Sequence, residues 1–367
     1  MKTTDLLIAG GGPAGLAAAI AARRKGLQVT LVEPTRPPID KACGEGLMPD
    51  ALDALARLGV QLEPTDGSPF RGIRFLGHGA SVDGRFLNGG GMGVRRTRLH
   101  SVLREHAEAE GAVLRWGSRV TAIEKRHAFI ACEPIAFRYL LGADGSSSTI
   151  RRWAGLERGS YKGSRLGFRR QYSIAPWSDC VEVHWGPQCQ LYITPIGSDR
   201  ICIALLTRRT DLRLDQALKF FPEVAARLGS GSPIGLPRGA NSVFRRLNRV
   251  VKENIALVGD ASGSVDAITG EGMCLSFRQA TALAEALSKD RLQEYQEAHS
   301  RIRSAPDRIA WLLLKMDRSE LVCRRALQAL SRRPEFFTSL LALHVGEPSR
   351  AVLAGAMCSL GWSLLTA

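Results

Sequence analysis

Gly10-Gly11-Gly12-Pro13-Ala14-Gly15 is the stretch on which the reading of the fold turns. The apolar run Leu6-Leu7-Ile8-Ala9 before it has the pattern of a buried strand. The alanine-rich residues 15–25 after it read as a helix stopped by Gly26. Val29-Thr30-Leu31-Val32 is the next strand, so the order is strand, turn, helix, strand, the right-handed crossover of a parallel sheet. Gly10 makes the tight turn, Gly12 lets the main chain approach a pyrophosphate, and Gly15 allows the helix to pack close. Pro13 and Ala14 lie at the helix start, whose free amides carry partial positive charge. Glu33 closes the second strand 18 residues after Gly15, where a carboxylate can accept the hydroxyls of an adenosine ribose.

Outward from this unit, helices are expected over residues 49–58, with Leu52, Leu55 and Leu58 on one face, and 98–110, with Leu99, Val102, Leu103 and Ala107. Short strands are expected at 113–116, 120–123, 129–132 and 139–143. From about 163 to 245, helical periodicity gives way to β-rich runs such as Val181-Glu182-Val183-His184-Trp185. In that alternating strand His184 and Trp185 read as sheet-face residues. Arg169 and Arg170 are adjacent, so a strand turns one each way. At most one can reach a ligand, and Arg170 is taken as that candidate. Ile255-Ala256-Leu257-Val258 returns to a buried strand, followed by a helix with Phe277, Ala280, Ala284 and Leu287 on one stripe. Gly89-Gly90-Gly91-Met92-Gly93 has no convincing strand before it and reads as a flexible connection.

The fold class is therefore α/β. A nucleotide-binding domain with a parallel central sheet is expected in three pieces, 1–70, 95–162 and 251–300. It is interleaved with a mainly antiparallel β substrate domain at 71–94 and 163–250, and a helical region follows at 301–367.

Lys and Arg number 50 against 35 acidic residues, a net charge of +15 that favours an anionic partner. A phosphorylated ligand, an acidic lipid headgroup and nucleic acid would all answer to that sign. The arginine clusters at 95–98, 151–152, 169–170, 245–249 and 324–333 lack interleaved aromatics, so nucleic acid is not the expected partner. Eight cysteines without a C-x-x-C pair point to reduced thiols, a cytoplasmic location and no metal site. Residues 1–5 run straight into a strand, and no leader is expected. The uncharged tail, 351–367, reads either as a packed terminal helix or as a peripheral membrane contact. A monomer or homodimer is expected.

Two further signals separate the possible nucleotides. Gly142-Ala143-Asp144-Gly145 ends a strand, and Ser146, Ser147, Ser148 and Arg151 open a helix. Val258-Gly259-Asp260-Ala261-Ser262-Gly263 leads into Thr269-Gly270-Glu271-Gly272-Met273 and a long helix. Asp260 can bind a ribityl hydroxyl, while amides around Gly272 and Met273 can face the pyrimidine edge of a flavin. The helix there would stabilise the negative charge of the reduced ring. Glu271, among glycines that present amides, reads as a solvent-facing or backbone-supporting residue.

The ordered trio G-x-G-x-x-G, GADG and GDASG…TGEGM resembles the flavoprotein superfamily of para-hydroxybenzoate-hydroxylase type. Cys43-Gly44-Glu45-Gly46-Leu47 and the TGEGM form are most similar to its geranylgeranyl reductase-like branch. The resemblance covers about residues 1–300 and implies a Rossmann-like FAD-binding domain with FAD held by Gly10, Gly12, Pro13, Ala14, Gly15, Glu33, Asp144, Gly145, Gly259, Asp260, Gly270, Gly272 and Met273. It also implies that Arg96 lies against the cofactor, that Val120 contacts adenine through its backbone, and that Cys43 sits near the flavin ring as the candidate catalytic thiol.

Prenyl reductases of this branch carry a Y-x-W-x-F-P strip along the lipid tunnel, whereas this chain reads Gln190-Leu191-Tyr192-Ile193-Thr194-Pro195. Only the proline survives, Tyr192 stands for the tryptophan as a candidate substrate contact, and a ligand with oxygen functionality fits better than a bare isoprenoid. The expected enzyme is an NAD(P)H-dependent monooxygenase acting on a hydrophobic, oxygenated aromatic or polyketide-like molecule through a flavin C4a-hydroperoxide. A reductase of prenyl-lipid double bonds is the alternative, and a basic flavin-carrying RNA or membrane adaptor is the non-enzymatic one.

Overall fold

The computed structural model describes residues 2–131 and 133–346, so the tail at 351–367 lies outside the described residues. Strand Lys2–Ala9 runs parallel to Val29–Glu33 on one side and to Glu133–Gly142 on the other. The sheet continues outward to Val113–Trp116 beyond the first neighbour, and to Ile255–Leu257 and Val251–Lys252 beyond the second. Leu6, Leu7 and Ile8 are at most 1% exposed although they alternate between sheet faces, which explains their uninterrupted apolar run. Each such side chain contributes about 1.5–3 kcal/mol on burial. Helix Pro13–Arg24 is buried along Ala17, Ala18, Ala19 and Ala22, small residues that let it pack closely against helices Arg96–Ala109 and Gly272–Ser288. The α/β architecture with a parallel central sheet is thus present.

A second sheet of seven strands runs in the order Ser232–Leu247, Gly159–Ser173, Arg200–Thr207, Cys189–Gly197, Val181–Gly186, Gly72–Gly77, Ala80–Arg85. Its pairings are antiparallel except that between Val181–Gly186 and Gly72–Gly77. Residues 72–85 therefore leave the first sheet to complete the second. The glycine stretch at 89–93 is not the flexible connection that its composition suggests, because strand Gly91–Val94 pairs with both Gly46–Leu47 and Gly67–Phe70. Glycine is required there by close packing. A Cβ at Gly91 would come within 2.2 Å of the Phe70 ring, and one at Gly93 within 1.7 Å of the Pro195 carbonyl.

Helices Leu292–Arg318, Glu320–Arg332 and Pro334–His344 close the described chain. Their attachment is partly ionic. Arg165, on the second sheet, is buried in an ion pair with Asp266, donates to Gln190 Oε1 at 2.6 Å, and lies 3.6 Å from Asp317 of helix Leu292–Arg318. Arg208 pairs with the other oxygen of Asp317. Asp266 also caps the 3-10 turn Ala267–Thr269 through the Ile268 amide at 3.0 Å. One buried network thus ties the second sheet and a C-terminal helix to the loop that leads into Gly270. No described helix is long and apolar enough to cross a membrane.

Candidate active site

The two sheets and the C-terminal helices enclose a cavity of 1290 Å³. It exceeds the roughly 300–1,000 Å³ of an ordinary small-molecule site, leaving room for a cofactor and a second molecule. Three separated loops line one part of it. In the first, Gly10 has φ 117°, and a Cβ there would lie 2.3 Å from the Ala143 carbonyl oxygen. A Cβ on Gly15 would lie 1.9 Å from the Gly10 oxygen, so these two glycines serve the close approach of backbone to backbone. Gly12 differs, for it lines the cavity and its Cβ would meet nothing within 4 Å. It precedes helix Pro13–Arg24 with no side-chain cap, which leaves the first-turn amides beside the cavity. Glu33 lines the cavity and is oriented by the amides of Gly11 at 2.8 Å and Thr35 at 2.9 Å.

In the second loop Asp144 and Gly145 line the cavity. The Asp144 carboxylate accepts from the Ser148 hydroxyl and from the Thr149 amide at 2.7 Å, so its first task is to cap helix Thr149–Trp153. In the third, Asp260, Gly270, Gly272 and Met273 line the cavity. Asp260 is accessible from it, yet the protein around its carboxyl raises the pKa, against the opposing effect of Arg96 and Lys41. Gly259 is not on the wall. Its Cβ would lie 2.7 Å from the Ala14 side chain and its amide donates to Gln279 at 2.8 Å, so it packs the turn against the first helix.

Pro13, Ala14, Arg96, Val120, Cys43 and Tyr192 also line the cavity. Burial pushes the Cys43 thiol up in pKa against the lowering effect of Arg96, and its sulfur accepts from the Glu45 amide at 3.4 Å. The Tyr192 hydroxyl donates to the Ile268 carbonyl at 3.2 Å. Arg170 is not on the wall and the assignment of substrate contact to it is corrected: strand alternation turns it outward, where it donates to the Gly235 carbonyl at 3.2 Å. Arg169 is the inward neighbour, buried and paired with Asp40.

Sequence reasoning left a polar cluster beside Cys43 unread. Glu45 is 1% exposed and adopts φ 59°, an unusual backbone for a side-chain-bearing residue. Its carboxylate accepts from the Arg96 amide at 2.9 Å and from the Gln171 amide group at 2.9 and 2.8 Å, with Arg169 at 3.6 Å. An acid between the two glycines of Cys43-Gly44-Glu45-Gly46 was the available signal. Glu271 is also corrected, because it is 2% exposed and faces buried His344 at 2.9 Å rather than solvent. Burial lowers the His344 pKa, but the pairing with Glu271 prevails and the net shift is upward. His344 lies on the wall and its Nε2 is 3.0 Å from the Thr269 carbonyl, so the last described helix reaches the Gly270 loop.

These residues fit FAD. Gly12, Gly44 and Gly272 all border the cavity, and a Cβ on any of them would point into open space within 4 Å. Such bare backbone leaves room for a bound molecule to approach the main chain. Arg96 Nε is buried without a hydrogen-bond partner in the protein, which leaves a donor for a ligand. Gly12 and the helix start would hold the pyrophosphate, Glu33 and Val120 the adenosine, Asp260 the ribityl chain, and Cys43, Gly270, Gly272 and Met273 the isoalloxazine.

Residues 3–169 match the FAD binding domain family. Menaquinone reductase of Mycobacterium tuberculosis is 29% identical over 317 residues, 78% of this chain and 76% of that protein. Digeranylgeranylglycerophospholipid reductase 2 of Methanosphaera stadtmanae is 25% identical over 327 residues, 80% of this chain and 82% of that protein. The solved flavin-dependent brominase Bmp2 has the same fold, with a TM-score of 0.80 at 17% identity over 98% of this chain and 99% of that one. Together with the three-loop site, these matches show an FAD-binding domain over residues 3–169, in a chain that resembles the FAD-dependent oxidoreductases of para-hydroxybenzoate-hydroxylase type and their geranylgeranyl reductase-like branch.

Proposed function

We propose that this protein is an FAD-dependent reductase that saturates a carbon-carbon double bond in the prenyl chain of a lipid with an oxygenated head, such as a prenylquinone. The observation that carries this reading is the apolar stretch of the cavity wall. This apolar leg is formed by Phe75, Val183 and Leu206 of the second sheet and Leu313, Met316 and Leu330 of the C-terminal helices. Such walls suit a flexible hydrocarbon, and water excluded from them cannot compete for reactive groups. The menaquinone and digeranylgeranylglycerophospholipid reductases that this chain resembles act on lipids by their names.

The balance is NAD(P)H plus a proton plus the double bond, giving NAD(P)+ and the saturated bond. FAD, when bound, supplies the two-electron relay between donor and lipid. The chain's own residues position and hold protons. Burial keeps Cys43 Sγ protonated at neutral pH, on the cavity wall. Glu45, fixed by Gln171 and the Arg96 amide, and the Arg169–Asp40 pair set the polar floor beside it.

Monooxygenation of an oxygenated apolar molecule is the second reading. Tyr192 and Thr194, which place polar groups on the cavity wall, favour it. The two differ in their use of oxygen. Incubated anaerobically with NADPH and a detergent-dispersed prenylquinone, the protein is expected to give a product heavier by two hydrogens per reduced bond. An unchanged side chain without oxygen, together with incorporation of labelled dioxygen in air, would replace this reading with the second.

A further inference from the structure

Ten large hydrophobic side chains are strongly exposed among the described residues, and four of them, Trp311, Leu312, Leu321 and Val322, fall within one stretch of twelve residues. This clustering marks a patch rather than the ordinary scatter of exposed apolar residues. It spans the end of helix Leu292–Arg318 and the first turn of helix Glu320–Arg332. Leu312, Lys315 and Val322 also line the cavity, so its apolar leg reaches the surface here. Lys315 Nζ lies 5.3 Å from the centre of the Trp311 ring, putting a cation and an amphipathic aromatic side by side. Over residues 308–335 seven Lys and Arg side chains are exposed against two acids, Glu320 and Glu335.

We propose that this face is a docking surface for an anionic lipid bilayer, through which the hydrocarbon chain of a membrane lipid enters the cavity. The proposal rests on the reductase reading for what the chain meets inside. It adds where that molecule comes from and how the protein approaches it. Charge decides the occupant. A second copy meeting the same patch about a two-fold axis would set like charges against each other. The tail at 351–367 carries no charged residue to answer the surplus. An anionic leaflet supplies the opposite sign for the cations and an apolar layer for the four hydrophobic side chains, with tryptophan suited to the boundary.

The test is co-sedimentation of the full-length, FAD-loaded protein with vesicles of phosphatidylcholine alone or mixed with phosphatidylglycerol. Partitioning is expected to be at least about tenfold stronger on the anionic vesicles. Trp311→Ser with Leu321→Ser, and separately Arg324→Gln with Arg325→Gln, are expected to weaken it about tenfold each. None of these four residues lines the cavity, so turnover of a detergent-dispersed prenylquinone should be unchanged. Equal binding to neutral and anionic vesicles, binding unaltered in both variants, or self-association abolished by Trp311→Ser with Leu321→Ser in place of vesicle binding would each overturn the proposal. Loss of vesicle binding in the variants, with no reduction of the detergent-dispersed substrate by any form, would support docking and refute the reductase reading.

Discussion

Gly12→Val is expected to weaken FAD binding about 5- to 150-fold, the equivalent of about 1–3 kcal/mol of overpacking, with the FAD-free protein still folded. Gly12 has φ −72° and ψ 178°, an extended backbone that valine adopts readily, and no protein atom lies within 4 Å of the position of its Cβ. The added side chain therefore competes with the ligand and not with the fold. Gly15→Val is the contrasting change, because its Cβ would be driven to 1.9 Å from the Gly10 carbonyl oxygen. That collision is with backbone, so Gly15→Val should lose thermal stability and FAD together. Flavin-fluorescence titration alongside thermal melts of the FAD-free proteins separates the two effects. Wild-type affinity in Gly12→Val would mean that no cofactor lies along this turn.

Arg165→Met should destabilise the fold by about 3–5 kcal/mol, because it strips the compensating cation from a buried carboxylate. Arg165 and Asp266 are each 4% exposed in their side chains, while Asp317 at 1% retains Arg208 as a partner. Asp266 is thus the group left stranded. Replacing it in the same protein, as Arg165→Met with Asp266→Leu, should recover part of the loss, since an apolar pair removes the unpaired buried charge. Urea unfolding of the two variants reads the difference. FAD affinity should fall in Arg165→Met as well, through the capped turn that precedes Gly270. Equal stability of the single and double variants would show that Asp266 is not held by this arginine.

The fold was legible where local pattern and packing agree. Leu6 to Ala9, the glycine turn and the alanines after it read correctly because a strand buried on both faces and a closely packed helix each leave a contiguous imprint. The stretch 89–93 misled for the converse reason. Its glycines resemble a loop by composition, while their cause is the Phe70 ring and the Pro195 carbonyl, which lie far along the chain. The glycines of the candidate site could be read one by one from the main-chain geometry they permit. Glu45, Gln171, Arg169 and Asp40 could not be assembled, since Glu45 and Gln171 are 126 positions apart and meet only when the two sheets do. Strand alternation said that Arg169 and Arg170 diverge but not which one faces inward. Glu271 reads from the sequence as solvent-facing or backbone-supporting, and its ion-pair role was missed because its partner, His344, comes from a helix whose docking no local signal announces.

The most direct measurement is the cofactor content of the purified protein. Material denatured after gel filtration should release one FAD per chain, identified by its mass. Protein that emerges free of flavin and takes up none from excess FAD, or that carries FMN instead, would contradict the convergence of the three loops on an adenine dinucleotide.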